Sequence, residues 1–357
     1  MPGDTYPKFR AAVVQAAPVY LDRDATIDKL DKMVKDAKDQ GADIVIFPES
    51  FVPAFPLWSI IYAPIDQHSF YKRLFDNSIL IPGPSFSRME DIAKKHKIFL
   101  SVGITEKSDY STGAMWNTNL LFDRSGALIN RHRKIVPTWA EKLIWAPGDG
   151  SQLRPAKTEL GNIGTLICGE NTNTLCRYAL LAQGEQVHIS TYPPAWPFRR
   201  GGDSQGYDVK KLNYMRAAAH SFEGKVFSLV SSGILDSGAI EQISQGNLET
   251  RKFLGGLGKP SSFITGPNGD ILVEIIGEEG IVCADIDLSE SIILKQAHDI
   301  VGYYNRYDIF QVRINQTPLR PITCYSLENE NSIGDLKDLQ YSENVRPEKG
   351  KGKPFSS

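Results

Sequence analysis

Nowhere in the 357 residues do about 18 apolar side chains run together, the length a helix needs to cross a bilayer, so no membrane partner is expected. The opening stretch MPGDTYPKFR has no apolar segment of signal-peptide length, and the expectation is a cytoplasmic protein. Charge of one sign is also missing. With 40 Lys and Arg against 42 Asp and Glu, the formal net charge of −2 gives no electrostatic reason to expect a nucleic acid partner. Cysteine is scarce, and the 4 copies, Cys168, Cys176, Cys283 and Cys324, are irregularly spaced, which favours reduced thiols over a disulfide framework. The 6 histidines lack metal-ligand spacing, and Cys168 and Cys176 are too far apart for a CxxC pair. The run from Gly255 to Pro260 lacks the first glycine and the final hydroxyl of a phosphate loop. No metal and no cofactor is therefore expected.

What is present is the composition of a soluble globular chain, 41% hydrophobic and 23% charged. Its first third alternates strand and helix. Arg10 to Ala16 reads as a strand, and Ala25 to Gln40 as a helix with Ile27, Leu30, Met33, Val34 and Ala37 on one face and Gly41 closing it. Asp43 to Phe47 suits a fully buried strand, and a helix ending at His96 leads into a strand from Ile98 to Ile104. A hairpin follows, Trp116 to Phe122 and Ala127 to His132 around Asp123-Arg-Ser-Gly126. Further strands are read at Glu159 to Ile167, Val187 to Thr191 and Val226 to Ser231. A helix from Tyr207 to Phe222 is expected to turn Val209, Leu212, Met215 and Phe222 inward. A second hairpin spans Ser262 to Ile275, and Gly280 to Ile286 is a last strand. The pattern predicts an α/β fold, a four-layer α-β-β-α sandwich of two mixed sheets. After about Leu319 the chain turns polar, so residues 1–318 read as the folded domain and 319–357 as a tail, flexible or docked at an oligomer interface.

Cys168 lies where an apolar strand runs into polar residues, in Gly164-Thr-Leu-Ile-Cys-Gly-Glu-Asn171. Asn171, Thr172 and Asn173 suit a helix N-cap, so the thiol is expected to meet the positive end of a helix dipole, which lowers a thiol's pKa. Alone, such a cysteine reads more readily as a small buried apolar residue at a strand end. Glu49, directly after the strand ending in Phe47-Pro48, and Lys134, at the end of Asn130-Arg-His-Arg-Lys134, change that reading. A thiol nucleophile needs a base for its proton and a cation or donor for the charge it creates.

With these residues in chain order, the sequence resembles the nitrilase superfamily from about Phe9 to Phe310. The matching segments are Phe-Pro-Glu49, His-Arg-Lys134 and the Cys168-Gly-Glu-Asn171 run, and Pro137 to Trp145 is similar to the true nitrilase branch. The resemblance implies Glu49 as base, Lys134 as cation, Cys168 as nucleophile, and Glu141 as a second glutamate beside the lysine. Many family members have Trp after the nucleophile, where this chain has Gly169. The implied reaction turns a small-molecule nitrile into an acid and ammonia through a thioimidate and a thioester on Cys168. Lys134 and the Gly169 N–H would stabilise the tetrahedral intermediates. An amidase, a carbamoylase or a cyanide dihydratase of the same superfamily is the near alternative. A thiol redox sensor is the alternative from another class.

Three aromatic residues near these motifs are candidates for substrate contact: Phe55 after Glu49, Trp139 after Lys134, and Trp196 in the proline-stiffened run Tyr192-Pro-Pro-Ala-Trp-Pro-Phe198. The resemblance also implies a homo-oligomer, a dimer or a spiral assembly. Phe55 to Phe70 and the tail after Leu319 are the candidate contact segments.

Overall fold

Neighbouring residues of the first strand enter different cores, and this sets the layering. In the computed structural model, which describes residues 5–197 and 208–322, Ala11 and Val13 pack with Ile163, Ile189 and Leu229, whereas Ala12 and Val14 pack with Ile27, Leu30, Val34 and Met89. Successive side chains of a strand point to opposite faces. A strand buried on both faces therefore reads as one unbroken apolar run.

The first sheet is built from β1 (Lys8–Gln15), β2 (Ile44–Ile46), β3 (Ile79–Leu80), β4 (Phe99–Lys107), β5 (Met115–Phe122) and β6 (Leu128–Arg133). The second holds β7 (Ala156–Thr158), β8 (Gly161–Ile167), β9 (Val187–Tyr192), β10 (Phe227–Ser232), β11 (Ser261–Thr265) and β12 (Ile271–Ile276). The chain then returns to the first sheet as β13 (Gly280–Asp287), antiparallel to β1 with Lys8 opposite Asp287. Strand order is β13-β1-β2-β4-β5-β6, with β3 beside β4, and β12-β11-β10-β9-β8-β7. In each sheet parallel pairs adjoin antiparallel hairpins, so both are mixed.

The helices are α1 (Arg23–Asp39), α2 (Trp58–Ile61), α3 (His68–Asn77), α4 (Pro84–His96), α5 (Thr174–Ala182), α6 (Val209–Gly224), α7 (Ser237–Ser244), α8 (Leu248–Gly255) and α9 (Glu290–Ala297). Residues of α1 and α4 close the outer face of the first sheet, and α5 and α6 lie against the second. The result is the expected four-layer sandwich. Each apolar sheet face needs a cover, and the two inner faces cover each other.

Several local expectations change. The face of α1 is as read, with Asp22 capping its start by accepting from Ala25 N at 3.0 Å. The strand read from Glu159 to Ile167 starts two residues later, as β8 at Gly161, where φ is +104°, and Glu159 and Leu160 form the turn that joins it to β7, a short strand the pattern did not show. In α6 the inward face is Val209, Asn213, Ala217, His220, Ser221 and Gly224, while Met215 and Phe222 are exposed. Apolarity misassigned that face because its buried polar groups find partners, as Ser221 does with Ser228 and Thr265 at 2.8 and 2.9 Å. Phe55, Leu57, Trp58 and Phe70, in the segment read as a contact surface, pack into the chain's own interior, and only Ile65 among its large apolar residues is strongly exposed. The described residues up to Pro318 form one compact unit, and the tail beyond Ile322 lies outside the described residues.

The two sheets are joined at the end where β1 and β10 finish. Ser231 Oγ donates to Val14 O at 2.6 Å, Ile234 N donates to Ala16 O at 3.2 Å, and Ala16 bridges Gly233. Gly103 of β4 lies under the segment that leaves β2. A Cβ there would meet Pro48 O at 2.3 Å and Ser50 N at 2.5 Å. Gly103→Ala is expected to lower unfolding stability by about 1–3 kcal/mol, as overpacking does, and to disturb Glu49 first. Urea unfolding midpoints would measure the loss, and an unchanged midpoint would contradict the close approach.

Candidate active site

Three strand ends deliver the ionisable side chains. Glu49 follows β2, Lys134 follows β6 and Cys168 follows β8, all at C-terminal ends, where α/β sheets commonly open their crevices. The Glu49 segment is laced along β4 by Phe47 N to Ser101 O at 2.8 Å, Val52 N to Gly103 O at 3.1 Å and Ser50 Oγ to Thr105 Oγ1 at 2.8 Å. Lys134 is held by its own N–H on Asn117 O at 2.8 Å and by Gly148 N on its carbonyl at 2.8 Å.

On β6 the side chains alternate. Arg131 and Arg133 both bind the buried carboxylate of Glu106, His132 meets Glu170 at 2.9 Å, and Lys134 turns to two other carboxylates. Each cation of the basic cluster thus has a partner within the chain. Lys134 Nζ donates to Glu49 Oε1 at 2.8 Å and to Glu141 Oε2 at 2.7 Å, and all three side chains are buried. Asn117 Nδ2 donates to the same Glu49 Oε1 at 2.6 Å. Thr138 N donates to Glu141 Oε2 at 2.9 Å, which fixes that carboxylate from behind. Glu49 Oε2 has no hydrogen-bond partner among the described residues.

The charges follow from this geometry. Burial pushes Glu49 up to about 7, with Glu141 adding to the rise and Lys134 and Asn117 opposing it. Burial alone would lower Lys134, but Glu141 and Glu49 outweigh it and raise the ammonium well above its ordinary value. Cys168 is half-buried, with φ at +51°, in the left-handed region. Burial, and then the Glu49 charge, push its thiol well above the usual range, while Lys134 pulls the other way. The expected lowering by a helix dipole is therefore reversed. A short 3-10 turn, Cys168–Thr172, stands between the thiol and α5, whose cap is Asn173.

The structure brings Glu49, Lys134 and Glu141 into direct contact, and Cys168 lies within their electrostatic reach. Gly169 is half-buried, and a Cβ on it would meet Thr138 Oγ1 at 2.9 Å. Phe55 and Glu49 line one narrow apolar cavity with Phe51, Pro194 and Leu235. The Trp196 ring is 6.4 Å from that of Phe55. Trp139 is 56% exposed, at the start of the 3-10 turn that carries Glu141 back to Lys134.

Sequence reasoning missed Asn117, Trp145, Glu170, and the buried set Asn171, Glu185, His188 and His220. Trp145 stacks edge-on against Phe55 at 5.6 Å. Glu170 accepts from Ile167 N at 2.8 Å and also from Ile135 N, tying the turn of Cys168 to the residue after Lys134. For Asn117 and His188 the available signal is a polar residue inside a strand run, and the others carry no such local mark. Glu185, His188 and His220 bring three metal-ligating side chains together, but their contacts are direct hydrogen bonds of 2.7 Å. Ligands on bonds of ~2.0–2.1 Å around a tetrahedral ion would stand ~3.3 Å apart. The cluster is a hydrogen-bonded network. Among the described residues, no helix is long and apolar enough to cross a membrane.

Comparison with known proteins gives the family and the fold. The carbon-nitrogen hydrolase family model matches residues 10–296. A nitrilase from Bacillus sp. (strain OxB-1) is 35% identical over 94% of this chain and 96% of its own. A nitrilase from Paraburkholderia phymatum is 31% identical over 92% and 93%. The crystal structure of a carbon-nitrogen hydrolase from Helicobacter pylori G27 shares the fold, with a TM-score of 0.65 at 18% identity, covering 81% of this chain and 92% of that one.

The charge on Glu49 raises the Cys168 thiol, so neutralising it must lower that thiol's titration. Alkylation rate against pH is expected to move to lower pH in Glu49→Gln. An unmoved or upward-shifted profile would contradict the ordering of charges.

Proposed function

The chain belongs to the carbon-nitrogen hydrolase family and to its nitrilase branch, and from that premise we propose that it hydrolyses an organic nitrile to the carboxylic acid and ammonia, with Cys168 as the covalent nucleophile. The observation that carries the assignment of roles is the division of labour on one carboxylate. Glu49 Oε1 is occupied by Lys134 and Asn117, while Oε2 is buried and free to take a proton. A carboxyl held at about 7 is poised both to accept a proton and to return it near neutral pH.

In this mechanism the Cys168 sulfur attacks the nitrile carbon as its proton passes to Glu49 and on to the nitrogen, giving a thioimidate. Water, deprotonated by Glu49, adds to that carbon. The tetrahedral adduct expels ammonia and leaves a thioester. A second water, activated the same way, releases the acid and returns the thiol. Two waters are consumed per nitrile. Lys134 and the Gly169 N–H stabilise the charged adducts, and Glu141 keeps Lys134 in place. A thiol that starts neutral supports this reading, since proton removal must then accompany attack.

Phe55, Trp139 and Trp196 are proposed to shape the substrate pocket. The homo-oligomeric assembly implied by the family and the cytoplasmic location expected from the sequence belong to the same proposal.

Glu49→Gln and Lys134→Ala are each expected to lower kcat by ~10²- to 10⁴-fold in folded protein. Because the base must be unprotonated, kcat/KM should fall as pH drops through about 7. Parallel assays of a nitrile and its amide separate the nitrilase reading from the amidase one. Near-normal turnover by either variant, or turnover confined to the amide, would overturn it.

A further inference from the structure

Asn171 is 3% exposed and connects the Cys168 turn to a buried chain of ionisable groups. Its Nδ2 donates to Cys168 O at 3.0 Å and to Leu166 O at 3.3 Å. Two carbonyl acceptors on one side leave a single choice for the amide, since a flip would set oxygen against oxygen. Its Oδ1 then faces His188 Nε2 at 2.8 Å and must accept, so that nitrogen carries a hydrogen. The other ring nitrogen, Nδ1, lies 2.7 Å from Glu185 Oε1, and His220 Nε2 lies 2.7 Å from Glu185 Oε2. Glu185 is held down to about 2 against its own burial by these two histidines, whereas burial and the neighbouring His188 push His220 down to about 4. The hydrogen bonds therefore connect Glu185, through His188 and the Asn171 amide, to the carbonyl of Cys168, with His188 Nε2 donating to Asn171 and Asn171 Nδ2 donating to that carbonyl.

The rest of the fold makes room for this chain. A Cβ on Gly164, three residues before β8 ends, would fall 1.8 Å from Glu185 Oε1, so the strand that carries Cys168 gives up a side chain to the carboxylate. The inward face of α6 supplies His220. Cys168 itself needs bracing, because a non-glycine residue at φ +51° is strained and persists only where its surroundings impose it.

We propose that Asn171 is a positioning residue that holds Cys168 in its attacking geometry, and that Glu185 and His188 act through it by fixing the direction of its amide. This rests on the reading of Cys168 as nucleophile. All three are buried, and these hydrogen bonds run within the chain.

The test combines turnover with alkylation of Cys168 by iodoacetamide, which needs no nitrile. Asn171→Asp removes the donor and sets an oxygen against the two carbonyls. Its kcat and its alkylation rate are expected to fall together by ~10- to 100-fold, the scale of a misplaced reacting group, with KM within about twofold. Glu185→Leu should do the same. Glu185→Gln should recover most of the loss, because a turned amide can donate to His188 Nδ1 and accept from His220 Nε2, keeping every bond in the chain. Wild-type kcat and alkylation in folded Asn171→Asp would overturn the proposal. So would failure of both Asn171→Asp and Asn171→Ala to fold, which makes the residue purely structural, or a Glu185→Gln as damaged as Glu185→Leu. Turnover surviving in Cys168→Ala would instead sink the nucleophile reading alone.

Discussion

The arrangement of the site depends on one buried ammonium. Lys134 stands between Glu49 and Glu141 with no solvent to share the charge. Removing either member of such a buried pair leaves an uncompensated charge, at ~3–5 kcal/mol, so the three groups hold one another in place. The net charge of the trio sets the chemistry. One carboxylate balances the ammonium, and a second next to it, in a desolvated position, is the one driven up to about 7. The base is thus tuned by the same contact that orients the cation.

That contact requires two strands of one sheet to end in register, and the thiol requires a strand of the other sheet to end beside them. The polar seam at the ends of β1 and β10 supplies the second condition, through Ser231 on Val14 O and Ile234 on Ala16 O. Glu170 adds a direct strap, since one carboxylate accepts from Ile167 N, before Cys168, and from Ile135 N, after Lys134. Buried polar groups of this kind are expensive unless fully paired, and once paired they fix a geometry that apolar packing leaves loose.

Much of this was legible in the sequence. Strand ends, the Glu49, Lys134 and Cys168 segments, and the two-sheet sandwich all follow from periodicity, turn residues and family resemblance. What stayed hidden has one physical cause. The inward face of α6 is built from Asn213, Ala217, His220 and Ser221, and apolar periodicity selected Met215 and Phe222 instead. A polar residue is buried when a partner from a distant segment meets it, and no local pattern records that partner. The thiol was misread for the same reason: a nearby helix cap suggested a lowered pKa, but burial and the charge of Glu49, 119 positions away in the chain, decide the sign.

The direction of that shift changes what the enzyme must do. A thiolate formed in advance needs no base for its own attack, and Glu49 would then serve only the later steps. In the proposed mechanism, with the thiol neutral, the first step also runs through Glu49, so one carboxyl hands protons back and forth throughout the cycle. Its free oxygen, its value near 7 and the permanently charged lysine on its other oxygen suit that repeated use. A second proton acceptor at the thiol would compete with it. The histidines nearest to Cys168 in the sequence are instead bound elsewhere, His132 onto Glu170 and His188 onto Glu185 and Asn171, which fits the role proposed for Glu49.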